Sequence, residues 1–123
     1  MGKKILIVED EPDQIMMLQT RLEASGFEVH SASDGAAGLE RVPELKPDLI
    51  LLDLAIPKVG GLEVCRRLKG DPQTRGIPVV ILTASGVREV EKQCKEAGAN
   101  ACMRKPFESQ ELVATIQKLL LNA

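Results

Sequence analysis

The chain alternates between short apolar runs and longer segments in which apolar residues recur every three or four positions. The short runs are typical of strands that are buried on both faces, and the longer segments are typical of amphipathic helices packed on a core. Polar or turn-forming residues follow each apolar run and mark where it ends. The predicted strands are residues 5–8, 27–32, 49–52, 78–82 and 101–103.

Five helices are predicted between and after these strands. The first begins near Pro12, a residue favoured in a first helical turn. The second runs from Asp34, a good N-cap residue, to Val42, because Pro43 and Pro47 are expected to bracket a loop. The inward-facing positions of the five helices are Ile15, Leu18 and Leu22; Leu39 and Val42; Leu62, Cys65 and Leu68; Val87, Val90, Cys94 and Ala97; and Leu112, Ile116 and Leu119.

Strict alternation of strands and helices predicts an α/β fold with a parallel sheet that is covered by helices on both faces. The length of 123 residues suits one domain, and 44% apolar with 28% charged residues is close to the globular average. No linker, repeat or low-complexity segment interrupts the pattern. We therefore expect residues 1–123 to form a single doubly wound domain.

Charge and composition exclude several classes of function. The 16 basic and 18 acidic residues give a net charge of −2, which provides no electrostatic basis for binding nucleic acid or a membrane surface. With no Trp, no Tyr and two Phe, the chain also lacks an aromatic platform for stacking single-stranded bases. No secretory signal is visible, and three cysteines without a close pair indicate free thiols in a reducing compartment. We expect a cytoplasmic protein.

A set of polar side chains follows the predicted strands, at the point where each strand ends. These residues are Glu9, Asp10 and Glu11 after the first strand, Asp53 after the third, Thr83 after the fourth and Lys105 after the fifth. Ligands of doubly wound sheets bind outside the carboxyl ends of the strands, so we expect a binding site at this edge. Asp53 is the most informative residue, because it directly follows four apolar residues of a central strand.

Carboxylates gathered at one edge repel one another, and a hard divalent cation is their natural counter-charge. Oxygen ligands from a few protein groups favour Mg²⁺ over a fully caged Ca²⁺. Each residue alone also fits a simpler role, since acids are favoured at a helix start and lysines are common on surfaces. Their combination and order along the chain indicate a functional site.

Five motifs occur in a characteristic order and spacing: ILIVEDE at 5–11, PDLILLDLAIP at 47–57, GG at 60–61, VVILTA at 79–84 and KPF at 105–107. Together they resemble the receiver domain of the two-component response-regulator family, over essentially all of the chain. The resemblance implies a flavodoxin-like sheet with strand order 2-1-3-4-5. It also implies a cis peptide bond before Pro106.

The resemblance further implies the chemistry of the site. Asp53 would be the phosphoacceptor, a carboxylate nucleophile. Glu9 and Asp10, together with Asp53 and the backbone carbonyl of Ala55, would hold Mg²⁺. The remaining two residues would bind the phosphoryl oxygens, Lys105 through its ammonium group and Thr83 through its hydroxyl group.

The same resemblance implies the partners. The phosphoryl donor would be the phosphohistidine of a sensor histidine kinase or a histidine phosphotransfer protein, and phosphorylation would switch binding to a downstream protein. The chain would then be a signalling domain that catalyses only its own phosphorylation and dephosphorylation.

One position departs from the family pattern. The position three residues before the lysine usually holds Tyr or Phe, and here it holds Cys102. A mechanism that swings an aromatic ring inward is therefore unavailable. We interpret Cys102 as a buried, inert thiol.

Three functions are alternatives to that of a phosphoacceptor. The first is a degenerate receiver that acts only as a phosphorylation-independent binding module. The second is a phosphatase of the haloacid dehalogenase type, which needs a second Asp two residues after its nucleophile, where this chain has Ala55. The third is a flavodoxin-type flavin site, but no phosphate-binding Ser, Thr or Gly loop follows Val8.

Overall fold

Five β-strands alternate with five α-helices along residues 2–84 and 88–121, the part of the chain that this computed structural model describes. The strands are β1 (Lys4–Val8), β2 (Glu28–Ala32), β3 (Leu49–Asp53), β4 (Val79–Thr83) and β5 (Ala101–Arg104). The helices are α1 (Pro12–Ala24), α2 (Gly35–Leu45), α3 (Gly61–Gly70), α4 (Arg88–Glu96) and α5 (Ser109–Leu121). Within the described ranges, none of the helices has the length and apolar character needed to cross a membrane.

The strands form one parallel sheet in the order β2-β1-β3-β4-β5, so the predicted fold class and strand order are both confirmed. Val8 of β1 is in register with Leu52 of β3, which places the residues that follow them, Glu9 and Asp53, side by side. The chain leaves β1 in one direction and β3 in the other. This reversal opens a crevice at the carboxyl edge.

Helices cover both faces of the sheet, and alternate residues of each inner strand point to opposite sides. Leu6 and Ile50 belong to the core beneath α2, α3 and α4, whereas Ile5 and Leu51 belong to the core beneath α1 and α5. All five residues of β3 are buried. The continuous apolar sequence of β3 is thus explained by its central position.

Helix α2 is longer than the sequence predicts. The expected end at Val42 is wrong, because the helix continues through Pro43 to Leu45 and ends where Lys46 adopts a left-handed conformation, with φ 53°. The ring of proline removes one backbone hydrogen bond, but its fixed φ is compatible with a helix. Packing of Val42 and Leu45 on the core compensates for this loss.

The predicted inward face of α4 is partly confirmed. Cys94 is buried on the helix, and Ala97 is also buried but follows the helix end at Glu96. Gly98 then ends the segment with φ 93°, a conformation that glycine adopts readily. Val87 lies outside the described residues.

Candidate functional site at the carboxyl edge of the sheet

Four strand ends meet at the crevice and bring the predicted site residues together. A cavity of about 470 Å³ opens there. Its lining includes Asp10, Glu11, Asp53, Ala55, Thr83 and Lys105. Glu9 lies beside this cavity, with its side chain only 2% exposed.

Each carboxylate oxygen of Asp53 accepts a hydrogen bond from an N–H group. The backbone N–H of Ala55 donates to Oδ1 at 3.0 Å, and the ammonium group of Lys105 donates to Oδ2 at 3.1 Å. The residue is 9% exposed and lies at the end of a strand whose five residues are all buried. Asp53 therefore presents an oriented carboxylate to the cavity.

Lys105 connects the elements of the site. Its Nζ donates to Asp53, to Glu9 Oε1 at 3.3 Å and to Gln14 Oε1 at 2.9 Å, so each of its three N–H groups has an acceptor. Its backbone N–H donates to the carbonyl of Thr83 at 2.7 Å. The peptide bond between Lys105 and Pro106 is cis, as the resemblance implied.

Gln14 is a site residue that the sequence analysis missed. It lies in the first turn of α1, lines the cavity and accepts a hydrogen bond from Lys105. No local sequence pattern links this neutral amide to Lys105, which is 91 positions away.

The three predicted acidic ligands form one cluster. Carboxylate oxygens of Glu9, Asp10 and Asp53 lie within 4.8 Å of one another. Glu9 Oε2 also accepts hydrogen bonds from the backbone N–H groups of Asp10 at 3.0 Å and Glu11 at 3.3 Å. Three converging carboxylates and no nitrogen or sulfur ligand match the preference of Mg²⁺ for oxygen. The donor set therefore fits this ion.

Thr83 ends β4 and lies beside Asp53 and Lys105 at the wall of the cavity. The residue is only 4% exposed. Ala55 is exposed and lies in the loop that joins β3 to α3. The cavity is thus bordered by a hydroxyl group, an ammonium group and a carboxylate cluster.

The two buried carboxyl groups ionise at different pH. Burial, a hydrogen bond with Asp53 and repulsion by the charge of Asp53 raise the pKa of Glu9 to about 7, although Lys105 acts in the opposite direction. Burial also opposes ionisation of Asp53, but hydrogen bonds from Glu9, the Ala55 amide and Lys105 outweigh it and lower the pKa of Asp53. The negative charge at neutral pH therefore resides on Asp53, with Glu9 partly protonated.

This difference predicts how stability depends on pH without metal. Between about pH 5 and pH 7 the folded protein keeps a proton on Glu9 that the unfolded chain has lost, since the ordinary pKa of this group is 4.5. Its contribution to the free energy of unfolding therefore falls as the pH rises through this range and is constant above about pH 8. The variant Glu9→Gln has no carboxyl group to titrate at this position. In denaturant unfolding with a chelator present, we expect the free energy of unfolding of the wild type to fall relative to that of Glu9→Gln as the pH rises from about 5 to about 7. If the two free energies change in parallel with pH, the raised pKa of Glu9 is contradicted.

Comparison with known proteins agrees with this geometry. The sequence matches the response regulator receiver domain family over residues 5–117. It is 41% identical over 117 residues to the DNA-binding dual master transcriptional regulator RpaA of Synechocystis, covering 95% of this chain and 48% of RpaA. The chain thus spans about half the length of the curated relatives that head the comparison.

Two solved structures superpose closely. A putative response regulator from Chloroflexus aurantiacus has a TM-score of 0.94 at 34% identity, with 98% of this chain and 99% of that chain covered. The receiver domain of the sensor histidine kinase PA1611 from Pseudomonas aeruginosa, which has a magnesium ion in its active-site cleft, has a TM-score of 0.90 at 28% identity, with 98% of both chains covered. The family match, the sheet order and the carboxylate edge lead to one conclusion: this chain belongs to the response regulator receiver domain family, the signal receivers of two-component systems.

Proposed function

We propose that the chain accepts a phosphoryl group on Asp53 from a phosphohistidine of a sensor histidine kinase or a histidine phosphotransfer protein. The observation that carries this proposal is the ion pair between Asp53 and Lys105, 3.1 Å apart at the wall of an open cavity. The carboxylate is oriented by the Ala55 amide and kept ionised by its hydrogen bonds. An ionised, oriented carboxylate that a small anion can reach is what a phosphoacceptor requires.

The reaction forms a bond between an oxygen of Asp53 and phosphorus, and it breaks the bond between phosphorus and the imidazole nitrogen. The bonding electrons leave with the imidazole. Lys105 stays beside Asp53 and offsets the charge of the incoming oxygens, and the Thr83 hydroxyl lies near enough to the cavity to donate to one of them. Positioning and electrostatics supply most of the catalysis in such transfers.

We also propose that Mg²⁺ occupies the carboxylate cluster. Glu9, Asp10, Asp53 and the backbone carbonyl of Ala55 would hold it. When bound, the ion would offset negative charge on the phosphoryl group as it approaches the acidic edge. The clustering of the three carboxylates supports this assignment, as does the magnesium-bound PA1611 receiver domain.

The proposed domain is the whole chain, residues 1–123, acting on no substrate but itself. It would take up the phosphoryl group, lose it by hydrolysis and signal through a downstream protein. A degenerate receiver is not favoured, because the five predicted residues Glu9, Asp10, Asp53, Thr83 and Lys105 are all present at one edge. A phosphatase of the haloacid dehalogenase type lacks its second Asp at Ala55.

A small acyl phosphate tests this function without knowledge of the partner. We expect intact-mass analysis of the wild type to show one added phosphoryl group in Mg²⁺, and none when a chelator replaces the metal. The reason is that the acidic cluster repels an anionic donor, and the single positive charge of Lys105 does not offset this repulsion. Full phosphorylation in excess chelator would reject the role of the metal. No phosphorylation in either condition would favour the binding module.

A further inference from the structure

Two of the three cysteines lie in contact, on adjacent elements of the fold. Cys94 is on α4 and Cys102 is on β5, and the thiol of Cys102 points at the sulfur of Cys94 across 3.5 Å. Both are free thiols. A disulfide bond is about 2 Å long, so the two sulfurs would have to move closer by about 1.5 Å.

The pair is reachable from solvent. Cys94 is only 1% exposed, but Cys102 is half-buried, which corrects the expectation that it is buried. Both line a cavity of about 290 Å³ whose other walls include Glu91, Lys95 and Asn100. A small polar molecule can therefore reach Cys102 first.

The third cysteine provides an internal contrast. Cys65 on α3 is fully buried, and its thiol donates to the backbone carbonyl of Ala97 at 3.4 Å. Cys65 does not line the cavity that Cys94 and Cys102 share. Cys65 lies close enough to Cys94 to contribute to the raised pKa of that thiol, but its own hydrogen bond is to a carbonyl oxygen and not to a sulfur.

We propose that Cys94 and Cys102 form a redox-modification site that a peroxide oxidises to an intramolecular disulfide. The Cys102 sulfur attacks one peroxide oxygen, the oxygen–oxygen bond breaks, and a sulfenic acid and one water form. The Cys94 sulfur then attacks the Cys102 sulfur, the sulfur–oxygen bond breaks, and a second water leaves. The two thiols lose two electrons, the peroxide gains them, and both thiol protons end in water.

The resting pair is protected rather than highly reactive. Burial, a hydrogen bond to Cys94 and repulsion from the charges of Cys94 and Glu91 raise the pKa of Cys102 to about 12, and burial also raises the pKa of Cys94. Both groups are therefore neutral thiols at physiological pH, and the thiolate is the reactive form. We expect oxidation to be slower than that of an exposed small thiol and to need sustained peroxide.

The disulfide would join α4, which follows a strand end at the carboxyl edge of the sheet, to β5, which leads into that edge. Strand β4 ends at Thr83 and is followed by α4, which carries Cys94, while β5 carries Cys102 and runs directly into Lys105. Oxidation would cross-link α4 to β5 and restrict the movement of one element relative to the other. This inference does not depend on phosphorylation of Asp53.

Peroxide treatment of the folded, reduced wild type tests the site. After denaturation and alkylation of the remaining thiols, trypsin cleaves after Lys92, Lys95 and Arg104 and places the two cysteines on peptides 93–95 and 96–104. We expect these peptides to be joined by a bond that a reductant breaks, and Cys65 to be alkylated. Amide hydrogen exchange across α4 should be slower in the oxidised protein than in the reduced protein. An unchanged exchange rate would contradict the proposal that the disulfide restricts α4.

Matched variants identify the partners. Cys65→Ser should retain the linked peptides, whereas Cys94→Ser and Cys102→Ser should lose them. In Cys94→Ser, a sulfenic acid reagent should label Cys102, because the resolving thiol is gone. The proposal is overturned if wild-type Cys94 and Cys102 are both still free to be alkylated after peroxide treatment sustained well beyond the time that fully oxidises glutathione, or if the linked peptide contains Cys65.

Discussion

Asp53→Asn should take up no phosphoryl group from an acyl phosphate in Mg²⁺, under conditions in which the wild type takes up one. The amide oxygen can still accept a hydrogen bond from Lys105, which lies 3.1 Å from the wild-type carboxylate. The amide nitrogen cannot act as the nucleophile, and the charge that attracts the metal is lost. Intact-mass analysis over a time course measures the effect.

Asp48→Asn is the matched control, because Asp48 precedes the other end of the same strand. Its carboxylate accepts a hydrogen bond from the Lys4 backbone N–H at 2.7 Å, and an amide oxygen can accept the same bond. We expect this variant to be phosphorylated like the wild type. Phosphorylation of Asp53→Asn to the wild-type level would mean that another group is the acceptor.

Gly35→Ala should destabilise the fold by roughly 3 kcal/mol, since overpacking at a well-packed position costs about this much. A Cβ atom at this position would lie 1.8 Å from the carbonyl oxygen of Val59, which is a backbone atom and cannot rotate away. The backbone N–H of Gly35 also donates to the Pro57 carbonyl at 3.2 Å. The loop from β3 to α3 would have to move, and it carries Ala55 of the proposed metal site.

Gly70→Ala controls for the change from glycine to alanine itself. Gly70 is in α3 and a Cβ there would contact nothing within 4 Å. Since alanine is the better helix former, we expect unchanged stability or a gain of up to about 1 kcal/mol. Chemical denaturation of both variants gives the comparison, and equal stability of Gly35→Ala and Gly70→Ala would show that the loop relaxes freely.

The sheet was predictable because its strands are short and apolar, and because polar or turn-forming residues follow each of them. Leu49–Leu52 could only be a central strand, and parallel topology then requires the residue after it to lie at the carboxyl edge. The strand order came from the resemblance to a family, not from the apolar pattern. The end of α2 was misplaced, because packing of Leu45 on the core overrode the local signal of Pro43.

The site was predictable in its charged residues but not in their contacts. Gln14 and Lys105 are 91 positions apart, and no local pattern relates them. The contact between Cys94 and Cys102 likewise depends on how α4 packs against β5, because the eight positions between them include a helix end and a turn. The raised pKa of Glu9 follows from burial beside Asp53, which only the fold establishes.

The central claim is that Asp53 is the phosphoacceptor, and chemical trapping of the product tests it most directly. Wild type that has reacted with an acyl phosphate in Mg²⁺ is reduced with borohydride, which converts an aspartyl phosphate to homoserine, and is then digested and sequenced by tandem mass spectrometry. We predict homoserine at position 53 and unreduced aspartate at Asp10 and Asp48. Homoserine at another position would contradict the account. A stable phosphoryl group on His30, the one histidine of the sequence, would also contradict it.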